Sequence, residues 1–139
     1  MGAADRSKGR ARILQRMGRL GEALADTAVA IRLTTDLGDH YTLSVALFVR
    51  SDIHESRGEQ SEALACRDRE LALVTALGNR RHAASCQAAR ARLLSAVGHA
   101  SAATVAAEQA LTEADAADDD EFVREIRQLV NRFVPAPRR

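Results

Sequence analysis

Histidine and cysteine are the residues of this chain best suited to metal binding or nucleophilic chemistry. Its four histidines are His40, His54, His82 and His99. No His-x-x-x-His or Cys-x-x-Cys spacing occurs, and these are the spacings that place two ligands on one helix face or in one tight turn. We therefore read the histidines as surface or packing residues, with His54 half-buried. We predict a protein that is not an enzyme and that holds no metal ion or other cofactor.

The two cysteines, Cys66 and Cys86, fall on consecutive predicted helices and could suggest a disulfide. Counted from the turn near Asn79, they are offset by about 9 Å along antiparallel helices that rise 1.5 Å per residue. A disulfide needs its alpha carbons within about 7 Å of each other. We therefore expect free, reduced thiols.

An acidic run near the end of the chain resembles a calcium loop at first sight. Its members are Asp115, Asp118, Asp119, Asp120 and Glu121. It lacks the central glycine and the spaced oxygen ligands of an EF-hand. Carboxylates that cap the next helix and fill its first turn account for the run, so we predict no calcium site.

A forty-residue repeat positions all of these residues. Three similar segments begin forty residues apart, at Gly18, Gly58 and Gly98. The first two read Gly-Arg-Leu-Gly-Glu-Ala-Leu and Gly-Glu-Gln-Ser-Glu-Ala-Leu. Residues of the same type also recur every forty positions elsewhere in the chain: Ala23, Ala63 and Ala103; Ile31, Leu71 and Leu111; Arg10, Arg50 and Arg90. A fixed period of this length is typical of a solenoid whose units bury their apolar faces against one another.

Caps and glycines divide each repeat into two antiparallel helices. Asp39, Asn79 and Asp119 are the predicted N-caps of the first helices, and Gly21, Ser61 and Ser101 those of the second helices. The predicted helices span roughly 2–17, 22–37, 40–57, 62–77, 80–97, 102–117 and 120–133. We predict an all-α solenoid of three repeats (1–38, 39–78, 79–118), a capping helix at 120–133, one domain over 1–134 and a short tail at 135–139.

The Gly-x-x-x-Glu-Ala-Leu run, with Ala30 or Ala110 seven positions past its alanine, resembles the tetratricopeptide repeat. The period is longer than the usual unit of about 34 residues. It is similar to the forty-residue variety of bacterial regulatory and signalling proteins. Glu70 replaces the seventh-position alanine in the second repeat, and the large aromatic residues usual in the first helix are mostly absent.

The resemblance implies a concave groove lined by the first helix of each pair. The groove positions carried over to this chain are Lys8, Arg12, Arg16, Val45, Phe48, Val49, Asp52 and Arg92. Val45, Phe48 and Val49 together would form an exposed apolar patch, which usually marks a contact surface. The recurrent Arg10, Arg50 and Arg90 form either a ladder for an acidic partner or structural contacts between helices.

These features favour a protein-interaction scaffold that binds a peptide or a helix, as a regulatory module of a bacterial signalling or transcription-regulating protein. The alternative is a self-association domain that forms a homodimer. The net charge of +1 argues against a dedicated nucleic-acid surface. No segment has the apolar length of a membrane span or a signal peptide, so we expect a cytoplasmic protein without a membrane partner.

Overall fold

The computed structural model describes residues 3–134 apart from the side chain of Asp5, and this part of the chain is helical without any strand. The tail 135–139 and the first two residues lie outside the described residues. The helices are α1 Ala3–Arg16, α2 Leu20–Leu37, α3 His40–Ser56, α4 Gln60–Ala76, α5 Arg80–Ala96, α6 Ala100–Ala116 and α7 Asp120–Val130, followed by a 3-10 turn at Asn131–Phe133. The predicted all-α fold of paired helices is confirmed.

The N-caps of the first helices are those that the sequence predicts. The side chains of Asp39, Asn79 and Asp119 accept hydrogen bonds from the backbone N–H groups of residues three positions later. Such bonds satisfy donors that the start of a helix leaves without a partner. The repeat boundaries therefore fall where the capping residues occur.

The predicted N-caps Gly21, Ser61 and Ser101 are wrong, because α2, α4 and α6 begin at residues 20, 60 and 100. The reason is visible at Gly58, whose φ of +75° favours glycine. The Gly58 N–H bonds to the Glu55 carbonyl and the Glu59 N–H to the His54 carbonyl, which is a Schellman ending. The Glu59 carbonyl then accepts the first bond of α4. The turn geometry therefore starts the helix before the serine.

The chain forms two compact units, of which the first ends at Leu73 and the second begins at Val74. In the first unit α1 packs against α2 and α3, and α2 packs against α3. Its core contains Ala11 and Leu14 of α1, Ala23 of α2, and Val49 and Ile53 of α3. Small residues at these crossings let the helix axes approach closely.

In the second unit α5 packs against α6, and α7 packs against both. The buried residues of α6 are all alanines, namely Ala103, Ala106, Ala107, Ala110 and Ala114. The α7 helix closes this unit with buried Phe122, Ile126 and Val130. None of the helices between residues 3 and 134 is both long and apolar enough to cross a membrane.

Candidate functional site

The Phe48 side chain is the centre of the most distinctive surface of the first unit. It lies half-buried on α3, close to two guanidinium groups. The guanidinium carbon of Arg12, from α1, is 5.3 Å from the ring centroid, and that of Arg67, from α4, is 4.7 Å away. Cations at these distances are attracted by the electron-rich face of the ring. Three helices thus meet at one aromatic side chain.

Asp52 fixes both arginines. It lies one helical turn after Phe48 on α3, and its side chain is 25% exposed. One carboxylate oxygen accepts a hydrogen bond from Arg12 at 2.9 Å, and the other accepts one from Arg67 at 3.2 Å. Charge-assisted bonds of this kind orient a guanidinium group more firmly than neutral ones. We call the surface formed by Arg12, Phe48, Asp52 and Arg67 the Phe48 face.

A buried ion pair of Arg67 and Glu70 lies next to the Phe48 face and holds Arg67 in place. Arg67 Nη1 donates to Glu70 Oε1 at 3.0 Å, and the Glu70 side chain is fully buried. Glu70 occupies the repeat position at which Ala30 and Ala110 are also fully buried. The second repeat therefore replaces a methyl group with a carboxylate that holds Arg67. Sequence reasoning noted Glu70 as a departure from the repeat but missed this role.

The expected apolar patch of Val45, Phe48 and Val49 is wrong in one essential respect. Val49 is 4% exposed and belongs to the core with Ala11 and Leu14, because this side of α3 packs against α1. Val45 and Phe48 are both partly exposed. The surface therefore pairs a modest apolar area with charged groups.

The remaining predicted groove residues are distributed over both units. Arg16 is exposed on α1, and Lys8 of the same helix is partly buried. Arg92 is partly buried on α5, in the second unit. The structure thus brings together Arg12, Phe48 and Asp52 from the predicted set, with Arg67 as the member that the prediction lacked.

The recurrent arginines make structural contacts. Arg50 Nη1 donates to the Leu24 carbonyl at 2.8 Å and to the Thr27 hydroxyl at 2.9 Å, which ties α3 to α2. Arg10 pairs with Asp26 at 3.2 Å, and Arg90 donates to Gln87 at 2.6 Å. The structural interpretation of this column is therefore favoured over a ligand-binding ladder.

The thiols and histidines take ordinary structural positions. Neither Cys66 nor Cys86 is part of a disulfide, and burial raises the pKa of the Cys66 thiol. His54 is 9% exposed, more buried than predicted, and its Nδ1 lies 3.1 Å from Glu59 Oε1. Within residues 3–134, no group of three or more potential metal ligands comes together.

Comparison with solved structures supports the fold. The chain is similar to the crystal structure of BtubC (BKLC) from P. vanneervenii, with a TM-score of 0.71, 17% sequence identity, and coverage of 98% of this chain and 67% of that one. At this identity the likeness concerns the fold alone. No protein-family model matches the chain, and neither does any curated protein. The resemblance to the tetratricopeptide repeat stays a prediction.

Proposed function

We propose that this chain is a protein-interaction module that binds a peptide or a helix on its Phe48 face. The observation that carries the proposal is the Phe48 ring with the guanidinium groups of Arg12 and Arg67 close to it, and Asp52 bonded to both arginines. Aromatic and arginine side chains are the types most enriched in protein interfaces. Their geometry is fixed before any partner arrives, which reduces the entropy cost of binding.

The same contacts suggest the chemistry of the partner. The Arg12 side chain is 37% exposed, and both of its hydrogen bonds to described residues are donated by Nη1. Its remaining N–H groups suit a carboxylate of the partner. Val45 and Phe48 offer partly exposed apolar area one turn apart on α3. An acidic residue next to a large apolar one is therefore the expected recognition element.

The wider setting of the module is part of the same proposal. A regulatory segment of a bacterial signalling or transcription protein, acting in the cytoplasm, is consistent with the repeat pattern of the sequence. The alternative is self-association, in which two copies of this chain bind each other through the Phe48 face. It would make the binding segment a second copy of this chain rather than a foreign peptide.

The experiment is a selection of displayed peptides against the purified protein, followed by titration of a selected peptide by fluorescence anisotropy. Phe48→Asp places a carboxylate beside Asp52 and removes the aromatic surface. We expect it to weaken binding about tenfold or more, because the truncation of a central aromatic anchor costs at least 1–2 kcal/mol. Circular dichroism checks that the variant remains folded.

Val105→Asp is the matched control, because Val105 is a 52% exposed apolar residue of α6 in the second unit. This change should leave binding unaltered. Equal affinity of the wild type and Phe48→Asp would refute the proposed face. Sedimentation of both proteins tests the alternative, which requires a dimer that Phe48→Asp dissociates.

A further inference from the structure

The outer stripe of α1 carries large apolar side chains that remain in contact with water. Ile13 is 61% exposed, and Met17, in the turn that directly follows α1, is 62% exposed. Exposed Arg6, Arg10 and Arg16 flank them on the same helix. We call the surface of Arg10, Ile13 and Met17 the α1 stripe. It lies apart from the Phe48 face, where α1 contributes Arg12.

The second repeat shows what happens at the position of Ile13 when a helix covers it. Ile53, forty residues after Ile13, is fully buried in the core that contains Ala23 of α2. Leu20 and Leu24 of α2 pack against the same core. Leu93, the equivalent residue of the third repeat, is 1% exposed. The position of Ile13 is therefore buried in both of the other repeats.

The position of Arg10 in the stripe can be compared with the second repeat in the same way. Arg50, forty residues after Arg10, donates to the Leu24 carbonyl and the Thr27 hydroxyl of α2. Arg10 keeps an exposed side chain, 67% accessible, and pairs with Asp26 at 3.2 Å. The covering helix thus supplies both an apolar surface for the isoleucine and backbone and hydroxyl acceptors for the arginine.

From these equivalences we infer that the α1 stripe binds an amphipathic helix of another polypeptide, with the pattern Leu-x-x-Ala-Leu-x-x-Thr found at residues 20–27 of α2. The charge of α1 adds a second requirement. Its basic residues are Arg6, Lys8, Arg10, Arg12 and Arg16, against Asp5 alone. A partner helix with acidic flanks is attracted to this surface and oriented by it.

A second copy of this chain fits the stripe poorly. Two α1 helices would bring their basic side chains together, which is unfavourable at short range. The α6 helix corresponds to α2 in the third repeat. Its residues Ala100, Ala103 and Thr104 line one cavity together with Phe133, whose 3-10 turn packs against α6. A foreign helix therefore satisfies the charge and the shape better than a symmetric dimer does.

The test uses a labelled peptide of residues 20–37, the α2 sequence, which has three acidic residues and one basic residue. It is titrated into the full chain by fluorescence anisotropy. We expect saturable binding that Ile13→Asp weakens about tenfold or more, since most of an isoleucine side chain leaves water in the complex. Met17→Asp provides a second variant if Ile13→Asp unfolds.

Two controls separate this inference from the proposed function. Val105→Asp and Phe48→Asp should both bind the α2 peptide like the wild type, because neither residue belongs to the α1 stripe. A scrambled peptide of the same composition should not bind. No saturable binding, or equal affinity in Ile13→Asp and Met17→Asp, would overturn the inference. A dimer in sedimentation that Ile13→Asp dissociates would also overturn it, because the occupant would then be a second copy.

Discussion

The buried pair of Arg67 and Glu70 yields the most quantitative prediction. Arg67 is 5% exposed at its side chain and donates to Glu70 and to Asp52. Arg67→Met removes the guanidinium and leaves the carboxylate of Glu70 buried without it. Removal of one partner from a buried ion pair typically costs about 3–5 kcal/mol of unfolding free energy.

Glu70→Gln should be milder. It keeps the volume and an oxygen that accepts the 3.0 Å bond from Arg67, while Asp52 still balances the guanidinium charge. The loss is the difference between a charge-assisted and a neutral hydrogen bond, about 1–1.5 kcal/mol. The double variant should lose less than the sum of the two single variants, with a coupling of about 2 kcal/mol, because the buried carboxylate that loses Arg67 is then replaced by a neutral amide.

Urea denaturation followed by circular dichroism measures all four proteins at neutral pH. The midpoint should shift while the slope of the transition stays constant, since each change alters stability rather than the surface exposed on unfolding. Additive effects, with a coupling below about 0.5 kcal/mol, would refute the reasoning. They would mean that Arg67 and Glu70 do not form a desolvated pair.

Three further predictions concern the packing, the turns and the caps, and thermal melts check each of them. Ala63→Leu should cost about 1–3 kcal/mol by overpacking a fully buried site, whereas Ala65→Leu, on the exposed side of α4, should be nearly neutral. Gly78→Ala should lower the free energy of unfolding by about 1 kcal/mol, because the φ of Gly78 is +70°. At the equivalent position of the next repeat Asp118 has a φ of +54°, so Asp118→Gly should raise the melting temperature slightly. Bonds from Arg81 and from the Phe122 N–H lower the pKa of Asp119. A lowered pKa adds stability above the unfolded value of about 3.9 and loses it as the pH falls through the folded value. Asp119→Ala should therefore reduce the melting temperature at neutral pH and flatten its fall in acid, and an unchanged acid profile would contradict this assignment.

The helices and the first-helix caps could be predicted because their signals are local. A capping Asp39 or Asn79 after a left-handed glycine is a short-range pattern that the backbone obeys directly. The starts of α2, α4 and α6 were misplaced by two residues. In those turns the Schellman hydrogen bonds at the preceding glycine, and not a capping serine, decide where the next helix begins.

The site was predicted less completely because its contacts depend on helix rotation and on pairs distant in sequence. The repeat pattern gave α3 the correct register along its axis but not the rotation that buries Val49. The ion pair of Arg12 and Asp52 could have been found from the sequence, because these two residues have opposite charges and lie one repeat period apart. The contact of Asp52 with Arg67 joins two helices within one repeat and follows no periodic pattern.

The central claim is that a protein segment binds on the Phe48 face, and amide chemical-shift mapping tests its location directly. An isotope-labelled sample of this 15.0 kDa chain is titrated with a peptide selected by display. We predict that the largest shift changes cluster in α1, α3 and α4 around Arg12, Phe48 and Asp52, and that Phe48→Asp abolishes them. Changes confined to α5, α6 and α7, or a pattern that survives Phe48→Asp, would contradict the claim.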